Sequence, residues 1–301
     1  MNKKIRYTLA GVFIILLASL AWVAFKPYHY AIQFQSKTLP GVINQTIKVW
    51  SINLKGSDVE ESPSVNLIKQ RIKTKNTTYF YNWELTQKSD SLTKVRVEVI
   101  DSTQNNLLAR LSNVFQKEKI KKTSVENVKA LLEILNEHLE DHEVVIDEQT
   151  ASPSVFCAYV PLKGIQPQKA KGMMLHYNLI SDFILKHGIE TNGNPMVEVY
   201  NWEMEKDSIH YNFCFPIIMK DSLPEDPLIK YKQIDSKNAL KATYYGNYMS
   251  SDRAWYALQS YAENNSIDLE NTPIEVFHNN PMQGGDDTKW KTEVYLPIKD
   301  K

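Results

Sequence analysis

Cysteine is nearly absent from this chain: its 301 residues contain two, Cys157 and Cys214. That excludes a disulfide-stapled scaffold and a four-cysteine zinc site. Net charge is absent altogether, with 35 Lys and Arg against 35 Asp and Glu. The balance excludes the broad basic footprint of a general nucleic-acid binder. It equally excludes the acidic, solvating composition of a disordered chain. What is present is core material: 43% hydrophobic residues, including 16 Tyr and 6 Trp. The length allows about two domains at roughly 100–200 residues each.

The strongest hydrophobicity is concentrated at one end. Residues 7–25 read YTLAGVFIILLASLAWVAF, nineteen positions without a charge. A helix rising about 1.5 Å per residue makes such a run nearly as long as a hydrocarbon core of roughly 30 Å. Tyr7, Trp22, Phe25 and Tyr28 mark its ends, where aromatic side chains favour the membrane interface. Lys3, Lys4 and Arg6 precede it and only Lys26 follows closely, which predicts a cytoplasmic N-terminus and extracytoplasmic soluble domains. The alternative is a signal peptide cleaved near Ser19-Leu20-Ala21.

Residues 27–148 read as strand, helix, strands, helix. His29 to Phe34 alternates as a half-buried strand does. A helical stripe over Ser36 to Ser51 is interrupted near its start by Pro40-Gly41. Strand-like runs follow at Val65–Ile72, Thr77–Thr86 and Thr93–Ile100. Thr123 and Glu126 then form a capping box, and Val125, Val128, Leu132, Leu135 and Leu139 recur at helical spacing. An antiparallel sheet closed by a long C-terminal amphipathic helix resembles the helix-grip, START-like (SRPBCC) superfamily. That resemblance implies an apolar cavity between helix and sheet. His138 and His142 have the i, i+4 spacing that can share a metal, but no third ligand accompanies them. They read instead as exposed histidines interacting with a helix C-terminal dipole, and no metal is expected.

Residues 149–301 contain an internal repeat. The first copy holds a strand through Val160-Pro161-Leu162, a helix over 169–187 with Met173, Tyr177, Ile180 and Ile184 buried, and a stop at Gly188. Pro195–Tyr200 and Tyr211–Ile217 supply two further strands. The second copy holds a strand ending Thr243–Gly246, a helix capped by Ser250 or Ser251 with Trp255, Leu258 and Tyr261 on one face, then Pro273–Phe277 and Thr292–Ile298. Glu198 and Glu275 stand 77 residues apart, and Pro216 and Pro297 stand 81 apart. The difference falls in the loop Asn280 to Asp287, whose Asp286 and Asp287 mark a turn rather than a site.

Tyr245-Gly246-Asn247-Tyr248, Ala254-Trp255 with Leu258, Glu275-Val276-Phe277, Asn280-Pro281 and Thr292-Glu293-x-x-x-Pro297-Ile298 carry a second resemblance. In order and spacing they are similar to the GyrI-like family, also called the AraC-type effector-binding domain. The resemblance implies two units about a pseudo-twofold axis with an aromatic-lined groove between their sheets. It also implies a groove glutamate at Glu293 that receives cationic, lipophilic compounds. Alternation places Lys291, Glu293 and Tyr295 on one strand face. Tyr244, Tyr248, Trp202 and Tyr159 are candidate aromatic walls for a ligand whose cation pairs with Glu293. Asn212 stands where Glu293 stands in the other copy, so the halves are expected to bind unequally.

Drug-sensing relatives join this module to a DNA-binding helix-turn-helix segment, and no such segment is read here. Other relatives hydrolyse strained electrophiles, for which Glu293 as base and Tyr248 as proton donor would be the catalytic pair. Cys157 and Cys214 lie on the first and last strands of the first copy, as two buried thiols or a disulfide.

The expectation is an α+β chain in three parts: an anchor at 1–26, a helix-grip domain at 27–148, and a tandem domain at 149–301 with repeats at about 149–220 and 236–301. Its expected role is capture of amphipathic or lipophilic small molecules, cationic ones included, in an aromatic groove, without a cofactor or nucleic acid. A hydrolase using that groove and a non-catalytic envelope scaffold are the alternatives.

Overall fold

A computed structural model describes residues 3–26, 29–60, 62–104, 117–204 and 208–299. Patterns of alternating and helical hydrophobicity resolve into an N-terminal helix and two antiparallel sheets, so the chain is α+β. Helix α1 spans Lys3–Phe25. Among the described residues no helix is long and apolar enough to cross a membrane. The expected span over 7–25 is therefore not supported by the structure. Tyr28 and the side chains of Lys3, Lys4, Arg6 and Phe25 lie outside the described residues.

The first sheet contains β1 (Tyr30–Ser36), β2 (Ser57–Val59), β3 (Leu67–Lys73), β4 (Thr78–Ser89) and β5 (Leu92–Asp101). Its order is β1-β5-β4-β3-β2, so the first strand closes against the last. Helix α2 (Pro40–Asn53) follows β1, and α3 (Lys117–Glu140) follows the sheet. Pro40 opens α2 instead of interrupting it, because the first turn leaves its N–H groups without intrahelical acceptors anyway. Helix α3 begins at Lys117, which places Thr123 inside the helix and removes the expected capping box. Its buried line is Ile120, Ser124, Val128, Leu131 and Leu135, rotated from the expected stripe. These pack with Ile43 and Ile47 of α2 on Tyr81, Trp83, Val95, Val97 and Val99 of the sheet.

The second sheet contains β6 (Glu143–Ile146), β7 (Thr150–Ala151), β8 (Val155–Ile165), β9 (Met196–Glu203) and β10 (Ser208–Pro216). It continues with β11 (Lys230–Ile234), β12 (Asn238–Tyr245), β13 (Ile274–Phe277) and β14 (Lys291–Pro297). With α4 (Lys169–Lys186) and α5 (Arg253–Asn265) these strands give two units, β8–α4–β9–β10 and β12–α5–β13–β14. The strand order is β11-β8-β10-β9-β13-β14-β12-β6, with β7 also on β12. The units join where β9 pairs with β13, Ile274 opposite Glu198. They therefore form one continuous sheet, which corrects the expected groove between two sheets. Strands β6 and β11 extend its outer edges, and β6 draws residues 143–146 into this sheet.

Both helices cover one face. Met173, Ile180 and Ile184 of α4 are buried there with Trp255, Leu258 and Ala262 of α5, whereas Tyr261 is 39% exposed. Gly188 ends α4 with φ +59°, the left-handed conformation in which a side chain is strained. Asp252 directly precedes α5 without a side-chain cap, and the Ser251 hydroxyl instead donates to the Tyr248 carbonyl at 3.0 Å.

Helix α2 docks the first module onto α5 of the second. A Cβ on Gly41 would come within 2.1 Å of the Tyr256 ring, so glycine is what permits that approach. Beside it the Gln45 amide donates to Tyr256 Oη at 3.1 Å, and the Gln166 amide donates to Asp252 Oδ2 at 2.6 Å. Trp202 Nε1 completes this buried network, donating to Gln166 Oε1 at 3.0 Å.

Candidate ligand-binding face

Alternation sends a second set of side chains to the other face of this sheet, where no helical side chain packs among the described residues. Met196, Ile274 and Tyr295 pack there with Cys157 and Cys214, and partly exposed Tyr159 and Val276 adjoin them. Two ionic clusters sit on this side. In one, Lys232 Nζ donates to Glu198 Oε2 at 2.7 Å, Asn212 Nδ2 donates to the same oxygen at 2.7 Å, and Lys232 lies 5.9 Å from the Tyr159 ring. In the other, Glu293 Oε1 accepts from Lys291 at 2.9 Å and from Lys241 at 3.1 Å. Its Oε2 accepts from Tyr295 Oη at 3.2 Å and lies 3.3 Å from His278 Nε2.

These contacts set the protonation of the site. Burial alone would raise the Glu293 carboxyl, but the hydrogen bonds and charges of Lys291 and Lys241 outweigh it and bring it down to about 2. Burial and the neighbouring Glu293 charge push the Tyr295 phenol up. Glu293 is thus a permanent carboxylate at neutral pH, already compensated by two ammonium groups.

The structure brings Glu293, Tyr295 and Tyr159 to this one face. It does not bring Tyr244, Tyr248 or Trp202 there. Thr243, not Tyr244, pairs opposite Glu293, so Tyr244 points with Leu240 and Ala242 into the helix-side core. Tyr248 lies in the same core, its hydroxyl donating to the Asn279 carbonyl at 3.0 Å and its ring packed on Phe277 and Trp290. Trp202 shares parity with Glu198, but the register of β9 shifts between His210 and Tyr211 of its partner strand, leaving Tyr200 unpaired. That bulge reverses the alternation and sends Trp202 onto Trp255 and Tyr256.

The expected catalytic pair also fails to assemble. Glu293 and Tyr248 face opposite sides of the sheet, and Glu293 is held more acidic, the reverse of what a general base at neutral pH requires. Burial meanwhile raises the Tyr248 phenol to about 12. His138 and His142 do not share a helix face, because α3 ends at Glu140. His142 Nδ1 lies 2.5 Å from the His138 carbonyl, its ring stacks on Tyr244, and burial lowers the pKa of both histidines. Among the described residues no cluster of three or more His, Cys, Asp or Glu side chains could hold a metal. Cys157 and Cys214 are buried free thiols, Cys214 opposite Tyr159 and Cys157 opposite Pro216.

Two features escaped the sequence reading. Glu198 and Glu275 match in the repeat but face opposite sides: Glu198 lies among the helix-free charges, whereas Glu275 is fully buried against Lys169. The signal was present, since Glu198 is three residues after Pro195 and Glu275 only two after Pro273. One extra residue reverses a strand's facing. Lys232 was missed because β11 lies outside the repeat.

Two tandem strand–helix–strand–strand units, joined edge to edge with both helices on one face, define the class of this domain: a duplicated α+β module with an uncovered sheet face. Residues 162–299 match the family model of the GyrI-like small molecule binding domain, and this part of the chain is such a domain. No curated protein matches the chain. Among solved structures it is similar to the EcmrR C-terminal domain, at 19% identity over 53% of this chain and 99% of that one, TM-score 0.43. It is also similar to SAV2435 bound to tetraphenylphosphonium, at 12% identity over 51% of this chain and 94% of that one, TM-score 0.36. EcmrR in its DNA complex aligns at 15% identity over 66% of this chain and 75% of that one, TM-score 0.45.

Proposed function

We propose that the chain binds an amphipathic small molecule on the helix-free face of its GyrI-like domain, against Tyr159, Tyr295 and the apolar side chains between the two ionic clusters. The observation that carries this is a fixed carboxylate, Glu293, on the same sheet face as buried apolar side chains, Tyr295 and the partly exposed ring of Tyr159, with no helical side chain packed there among the described residues. A cationic group on the ligand would pair with Glu293 by displacing Lys241 or Lys291, its apolar body lying on the rings. The competition with lysine makes the site selective for cations bulky enough to gain ring contact as well.

Calorimetric titration with tetraphenylphosphonium, a lipophilic cation, tests this reading. Binding is expected to weaken about tenfold or more in Glu293→Gln, the loss of one charge-assisted contact of ~1.5 kcal/mol or more. Binding is expected to tighten in Lys241→Met, which removes the competing ammonium. Unchanged affinity in both variants would remove Glu293 from recognition.

Residues 7–25 of α1 act, in this proposal, as a membrane anchor with the soluble domains outside the cytoplasm. The uncharged run and the exposure of Phe13, Ile14, Ile15 and Trp22 support it. Residues 27–148 act as a START-like helix-grip domain, supported by the packing of α3 on a sheet whose first strand closes against its last.

A further inference from the structure

On the helix side, away from Glu293, a cavity of about 310 Å³ lies between the two modules. That is near the lower end of the ~300–1,000 Å³ usual for small-ligand sites. The end of α3 contributes His138, Asp141 and His142, the start of α5 contributes Asp252 and Arg253, and Asp287 closes one side. The wall thus holds three carboxylates and one guanidinium.

Two of these groups are buried and incompletely paired. The Arg253 side chain is 4% exposed, yet neither its Nε nor its Nη1 makes a hydrogen bond among the described residues. The nearest counter-charge to Nη1 is Asp252 Oδ2 at 3.8 Å, and that oxygen already accepts the Gln166 amide at 2.6 Å. Asp252 Oδ1, on a side chain 5% exposed, has no hydrogen-bond partner among the described residues either. Leaving a charged group buried with unmet hydrogen bonds is costly, so native structures supply a partner. Here the two side chains that carry these unpaired atoms, Arg253 and Asp252, both line one cavity.

We propose that this interdomain cavity binds a small zwitterion, its anionic group on Arg253 and its ammonium on Asp252, with Asp141 and Asp287 adding to the negative side. An anion alone would meet three carboxylates, and a cation alone would meet the guanidinium; a zwitterion satisfies both. Because the wall comes from both modules, the ligand links them. The site is on the other side of the sheet from Glu293 and stands or falls independently of ligand binding there.

The test is calorimetric titration of the full chain with glycine, γ-aminobutyrate and leucine, with butyrate and butylammonium as single-charge controls. At least one zwitterion is expected to bind at least tenfold more tightly than either control. Arg253→Met is expected to abolish that binding, and Asp252→Asn to weaken it at least tenfold while improving butyrate. Should Arg253→Met fail to fold, Met249→Trp decides: Met249 is 62% exposed at the cavity wall, and the larger side chain is expected to block entry. No zwitterion binding at millimolar concentration, or binding equal to the controls, would overturn the proposal and leave water as the partner of these atoms. So would binding that survives in both Arg253→Met and Met249→Trp.

Discussion

At the scale of single residues, the contrast between Glu293 and Glu275 shows what placement does to one chemistry. Glu293 is partly exposed, with its charge met by two lysines that are themselves partly exposed. Glu275 is sealed: its side chain is 0% exposed and its partner Lys169 is 1% exposed. Lys169 bonds both Glu275 oxygens and Ser251 Oγ, while Trp255 Nε1 donates to Glu275 Oε1 at 2.8 Å. Lys169 belongs to the first unit, and Glu275 and Trp255 belong to the second, so the pair ties the duplicated halves together. A buried pair is not by itself a large net stabiliser, but removing one partner strands the other. Lys169→Met is expected to cost about 3–5 kcal/mol in denaturant unfolding. Adding Glu275→Gln should recover part of that loss, because the stranded charge is gone. A single-variant cost within experimental error of zero would contradict the sealed pair. None of this was legible from the family-like motif, which marks Glu275 but does not say which face of β13 it takes.

At the scale of elements, periodicity located ten of the fourteen described strands, missing β2, β6, β7 and β11, and it misplaced side chains where one residue changes a phase. All four strands read in the first module form, as do the two repeats with Gly188 at its helix end. The register of α3 was misread because Thr123 and Glu126 imitate a helix start within a longer helix. Trp202 was misplaced by the bulge at Tyr200, which no alternation rule announces. Tyr244 was legible: its parity with Leu240 and Ala242 already assigns it to the core. For α1 the composition carries the proposal, and membrane retention tests it. When the full chain is expressed in bacterial cells, alkaline washing is expected to leave it in the membrane fraction, and truncation of residues 1–26 to release it. Release of the full chain by the same wash would contradict the anchor.

At the scale of the whole molecule, the second sheet divides the chain's chemistry. Its helix side holds the main core, the docking of α2 on α5 and the interdomain cavity. Its other side holds the rings and ionic clusters to which ligand binding is assigned. Opposite charges are likewise paired on that face, where Glu198 meets Lys232 and Glu293 meets Lys241 and Lys291. Charge composition therefore excluded a basic surface but could not display a carboxylate held by two lysines. Ligand entry on the helix-free side is tested by methyl chemical-shift mapping with tetraphenylphosphonium. The largest shifts are expected at Met196, Ile234 and Ile274, with Ile180, Leu258 and Leu296 little changed. Shifts confined to Ile180, Leu258 and Leu296, with Met196 and Ile274 silent, would contradict it.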